Sequence, residues 1–147
     1  MKKVTLTPVT ISKNNGDNRE FSLCAYENVA RTTHDSADYR TTSDIVVGDR
    51  HISVKASGFT LMSGNLCEGK TTFEGIWDVY EHNTHSNEFV YITVDFTAYY
   101  MTLVEFKQFV HMFGRVERES EKNGGAMKIR CRKESKKMVE WLNAEVA

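Results

Sequence analysis

Apolar positions along the chain switch between a period of two and a period near 3.6, which predicts strands mixed with helices. Val4 to Ile11 alternates apolar and hydroxyl residues, as an edge strand does, and Asn14 to Gly16 reads as a turn. Asp17 stands three residues before Glu20, a capping-box spacing, and Phe21, Cys24, Ala25 and Asn28 share one helical stripe. A first helix is predicted over about 18–31. After a polar loop, Thr32 to Ser43, the segment DIVVGDRHISVK sets two β-rich runs around Gly48-Asp49, a hairpin signal. With those two residues as the turn, Val47 pairs with Arg50, Val46 with His51, Ile45 with Ile52 and Asp44 with Ser53. Ile45, Val47, Ile52 and Val54 then face a core, and Asp44, His51, Ser53 and Lys55 share the other face.

Further along, Thr71 and Glu74 make a second capping box ahead of Phe73, Ile76, Trp77 and Tyr80, whose spacing is that of an amphipathic helix. Asn87 to Tyr100 is rich in β-branched and aromatic residues and apolar on both faces, as a buried central strand and its neighbour require. Thr102 and Glu105 form a third capping box before a helix lined by Leu103, Phe106, Phe109, Val110 and Phe113, which Gly114 stops. Gly124-Gly125 reads as a turn. In AMKIRCR, Met127, Ile129 and Cys131 alternate with Lys128, Arg130 and Arg132, and Ser135 caps a last helix carrying Met138, Trp141 and Leu142. The order predicts a mixed α/β (α+β) fold, one domain over 1–147, with a central sheet flanked by helices.

Composition narrows the class without choosing a function. Hydrophobic residues at 40% and charged residues at 27% suit one globular core and argue against long disorder. No apolar run approaches the ~20 residues of a membrane span, and the amino terminus lacks the continuous apolar stretch of a signal peptide. A cytoplasmic protein that starts at Met1 and has no membrane partner is expected. Cys24, Cys67 and Cys131, an odd number without CxxC spacing, read as buried reduced thiols. A net charge of −1 leaves nucleic-acid binding to local patches.

The hairpin carries the chemistry. A carboxylate opening one strand can hold a divalent metal that lowers the pKa of a bound water, and a lysine ending the next strand can position the nucleophile and offset developing negative charge. Asp44 and Lys55 occupy these places, and the arrangement resembles the core of the PD-(D/E)xK nuclease superfamily: an Asp, a short β-turn, then an acidic-x-Lys strand after an initial helix. The resemblance covers about two-thirds of the chain in element order but only a few residues in motif. It implies a restriction-endonuclease-like αβββαβ core, Mg²⁺ as cofactor, DNA as substrate, and a homodimer for cutting both strands. It departs at Ser53, where the pattern has Asp or Glu. Some members carry an acid on the preceding helix; Glu20 and Glu27, seven apart, share a helix face with Arg31, and Glu27 is taken as the helical acid and second metal ligand beside Asp44. A Glu27–Arg31 ion pair at i, i+4 is the plain alternative.

Lys128, Arg130, Arg132, Lys133, Lys136 and Lys137 form a basic set suited to neutralising phosphates, or else a charged strand edge that resists aggregation. His51, on the hairpin's polar face, is a further nucleic-acid contact. His82 and His85 have zinc-ligand spacing without a third ligand. Two readings therefore stand: a Mg²⁺-dependent endonuclease-like enzyme, and a non-catalytic protein of phage or plasmid type that grips nucleic acid or a protein partner on the same scaffold.

Overall fold

The computed structural model describes residues 1–31, 43–61, 67, 69–118 and 127–147. Along the chain these form β1 (Lys2–Thr5), α1 (Asn15–Glu27), β2 (Ile45–Val47), β3 (Arg50–Lys55), β4 (Thr60–Leu61), α2 (Phe73–Asn83), β5 (Glu88–Ile92), β6 (Thr97–Met101), α3 (Leu103–Phe113), β7 (Gly114–Arg118), β8 (Met127–Cys131) and α4 (Lys136–Val146).

The doubly apolar segment around residue 90 becomes the centre of a mixed five-stranded sheet in the order β1-β6-β5-β3-β2. Among the described residues only β3 and β5 run parallel, and a parallel pair needs a long crossover, which contains α2. Alternation along β5 sends Val90 and Ile92 to one face, where they meet Leu23 and Cys24 of α1 with Ile45 and Ile52. Phe89 and Tyr91 go to the other face and the larger cluster beneath α2, α3 and α4. Helices on both faces explain why β5 and β6 are buried almost throughout. A second sheet, β4-β8-β7, joins the larger cluster through Leu61, Ile129 and Cys131. Among the described residues no helix is long and apolar enough to cross a membrane.

The hairpin forms in the expected register, with Ile45 opposite Ile52, Val46 opposite His51 and Val47 opposite Arg50; Gly48 takes the left-handed conformation that its turn requires (φ 57°). Thr102 and Glu105 close a full capping box, and Ser135 caps α4. Other ends differ from expectation. β1 stops at Thr5: Pro8 has no N–H for a ladder, and Val9 N donates to Ser22 Oγ on α1 instead. The Asn14–Gly16 turn is itself the helix start, because the Asn14 side chain accepts from Gly16 N and Asp17 N, and α1 ends at left-handed Asn28. Thr72 rather than Thr71 caps α2. α3 does end at Gly114, but in extended rather than left-handed backbone (φ −98°), and the chain continues directly into β7, a strand not expected from the sequence. Glycine serves there through close packing, since a Cβ would lie 2.5 Å from Val110 O and 3.0 Å from Ile129 Cγ2. The third strand of the expected core, β4, is two residues long and belongs to the second sheet. The Gly124-Gly125 turn and residues 32–42 of the polar loop lie outside the described residues.

Candidate functional site

Asp44 stands one residue before β2, led in by a buried contact between Ser43 Oγ and Ser86 Oγ (2.9 Å). Its N–H donates to Ile52 O (2.9 Å), one residue short of the expected Asp44–Ser53 pairing, and its Oδ2 accepts from Val54 N (2.7 Å). Because β2 has only three residues, the Asp44 carboxylate takes the place of the next backbone rung on β3. The side chain is thereby fixed at the sheet edge, beside the residue that precedes Lys55.

The face of α1 that buries Leu23 and Cys24 also carries Glu20, one turn earlier. This places the Glu20 carboxyl against Asp44. Burial and then the charge of Asp44 push its pKa up from 4.5 to about 7, with Arg31 opposing. Arg31 Nη2 reaches Asp17 Oδ1 at 2.9 Å and Glu20 Oε2 at 3.3 Å, while Glu20 Oε1 is buried without a hydrogen-bond partner. Two carboxyls in this position are compatible if they share a proton or jointly face a cation.

Glu27 goes elsewhere. Its carboxylate, 8% exposed, takes Arg50 Nη1 at 2.7 Å, and the same guanidinium grips Glu88 through Nε (2.9 Å) and Nη2 (2.7 Å). These bonds, first those to Glu88, raise the Arg50 pKa further. Arg50 opens β3 and Val54 lies near its end, roughly 13 Å away at the rise of a strand. The helical acid beside Asp44 is therefore Glu20, two turns before Glu27, and the anticipated Glu27–Arg31 alternative is replaced by Glu27–Arg50.

Ser53 is buried and Lys55 half-buried. In the parallel register they lie beside Phe89 and Tyr91, so they point to the sheet face opposite α1. The structure thus joins Glu20 to Asp44 on the α1 side of the sheet edge, while Ser53 and Lys55 point to the other face, so the single face expected to carry Asp44, Ser53 and Lys55 together is not formed. His51 lies toward the hairpin's far end, its backbone N–H donating to Asn87 Oδ1. Lys128, Arg130 and Arg132 alternate outward from β8, Lys133 follows, and Lys136 and Lys137 occupy the first turn of α4. All three cysteines are free and buried, each thiol pKa pushed up by burial, that of Cys131 to about 12. No group of three or more metal-ligating side chains occurs among the described residues, His82 and His85 included.

Spacing places both Glu20 and Glu27 on the helical stripe of Cys24, and choosing between them required knowing where the hairpin docks. Arg115 was missed because β7 was not foreseen. A comparison with protein-family models, curated proteins and solved structures finds no match to this chain.

Proposed function

We propose that this protein is a metal-dependent nuclease acting on DNA, with Asp44 and Glu20 as the carboxylates that hold a divalent ion. The observation carrying this reading is the buried Glu20–Asp44 pair at the edge of the hairpin, where an unpartnered carboxyl oxygen remains. The donor set fits Mg²⁺, which commonly uses one or two carboxylates and keeps several waters. Such an ion, when bound, lowers the pKa of a water and offsets charge on a phosphate.

The chain's own groups then have distinct tasks. Asp44 is held in a single orientation by the Val54 N–H. Glu20 supplies the second carboxylate that Ser53 cannot, and gives its proton to solvent when a cation takes the proton's place. Lys55, one residue after that N–H on β3, points to the other face of the sheet and takes no step beside the two carboxylates. Glu27, tied to Arg50, holds α1 to the hairpin and so positions Glu20.

The test is cleavage of plasmid and single-stranded DNA with Mg²⁺ or Mn²⁺. Wild type cuts, Asp44→Ala and Glu20→Gln lose at least about a hundredfold in rate, as expected when a stabiliser of transition-state charge is removed, and all variants melt as folded proteins. A second reading, a non-catalytic protein that binds nucleic acid or a protein partner, is favoured by Arg31, which already gives Glu20 a counter-charge. Absence of cutting by clean wild type selects that reading.

A further inference from the structure

Alternation along β7 and β8 turns Val116, Ile129 and Cys131 toward the core and leaves Arg115, Glu117, Lys128, Arg130 and Arg132 pointing outward. Arg115 lies directly opposite Arg130 in the antiparallel register. Like charges in that position destabilise a ladder, and one carboxylate serves both: Glu117 meets Arg115 Nε at 2.9 Å and Arg130 Nη1 only at 4.0 Å. Arg115 remains 77% exposed and Arg130 47%. The two guanidiniums, with Arg132 and Lys133, line a cleft of about 440 Å³. Just beyond it α4 begins, with Lys136 and Lys137 and no acid in its first turn, so lysine charge adds to the positive end of the helix dipole. A surface that concentrates cations against both rules of local stability is complementary to a polyanion.

Its position links it to the end of β3. Glu134 N donates to Ser57 Oγ (2.8 Å), and a Cβ on Gly58 would lie 3.6 Å from Lys133 Cγ, so the basic stretch abuts the chain leaving β3 just after Lys55. The aromatic ring at the cleft is Phe113, which is buried and has the Arg132 guanidinium over it at 5.9 Å. It offers no open face for stacking an unpaired base.

We infer that the outer face of the β7–β8 ribbon and the start of α4 bind the phosphate backbone of duplex DNA, with Arg115 and Arg130 as a cross-strand phosphate clamp. Guanidinium forks suit phosphate oxygens, and because β8 is also paired to β4 through Thr60 and Leu61, the basic surface is one face of a three-stranded sheet that meets the phosphate backbone from outside the grooves. This deepens the nuclease reading by stating where the substrate lies, yet it concerns binding alone and is measured without metal.

The experiment is fluorescence anisotropy of a labelled duplex of about 20 base pairs in EDTA, with NaCl varied from about 50 to 200 mM. Wild type, the triple variant Arg115→Gln/Arg130→Gln/Arg132→Gln, and the remote triple variant Lys13→Gln/Lys70→Gln/Lys107→Gln are compared, the last two changing net charge equally. The ribbon variant loses about tenfold or more in affinity. Its plot of log affinity against log salt flattens by about 2.7, or ~0.9 for each of three lost phosphate contacts. The remote variant stays within about twofold of wild type. Equal losses in both triple variants, no duplex binding by wild type, or tighter binding of the single strand than of the duplex each overturn the inference. Because Asp44→Ala tests cutting and the ribbon variant tests binding, the two proposals fail separately.

Discussion

Replacing Glu20 by Gln should change how the fold depends on pH. In the folded chain the Glu20–Asp44 pair keeps a proton up to about pH 7, because burial and the neighbouring carboxylate penalise the second negative charge; an exposed glutamate releases it near 4.5. The folded state therefore binds more protons than the unfolded state between those values. The associated stability is fully present below about pH 4.5 and lost as pH rises through 7. At about 1.36 kcal/mol per pH unit this loss is about 3 kcal/mol, a large share of the 5–15 kcal/mol typical of a domain. Glu20 is only 16% exposed, so solvent screens the effect little. The Gln amide can still donate to Asp44 but has no proton to lose. Urea unfolding followed by the fluorescence of buried Trp77 reads the difference: with a slope of about 1–3 kcal/mol per M, the wild-type midpoint falls by about 1–3 M from pH 5 to pH 8 relative to Glu20→Gln. Midpoints that fall in parallel for the two proteins would refute the shared-proton argument.

Three other substitutions test the frame around the site. Arg50→Met leaves the nearly buried Glu27 without its partner and should cost about 2 kcal/mol in urea unfolding at pH 7, with Glu27→Gln/Arg50→Met recovering part of it. Gly114→Ala forces a methyl onto Val110 O and should cost about 1–3 kcal/mol, while Gly48→Ala, in open space but left-handed, should cost about 1; equal losses in thermal unfolding would mean that backbone freedom, not contact, governs position 114. Thr102→Ala removes one arm of the α3 capping box and should lower stability by about 1 kcal/mol, with a matching shift in urea midpoint.

Local chemistry explains which features were legible beforehand. Gly48-Asp49 between two β-rich runs specified both the turn and the register, because a one-residue slip would have sent Ile45 and Ile52 away from the core. The Thr102/Glu105 box and the Ser135 cap were equally readable, since the bonds they make lie within one helical turn. The first helix was displaced because two acceptors, Asn14 and Asp17, stood within four residues. The choice of Asn14 came with the preceding segment, where the Asn18 side chain bonds the backbone of Ser12.

The sequence by itself determined the mixed α/β class, the hairpin and its register, and the outward placing of the β8 cations, all consequences of periodicity and of interactions a few residues long. Tertiary structure decided the rest: that β3 runs parallel to β5 and β4 joins a separate sheet, that Gly114 is needed for clearance, and that Arg115 faces Arg130. It also decided that Glu20 rather than Glu27 meets Asp44. Both glutamates lie on the same stripe of α1, and helical spacing treats them alike. Only the docking of that helix on the sheet, driven by Leu23 and Cys24 against Ile45 and Ile52, carries one to the Asp44 edge and the other to Arg50.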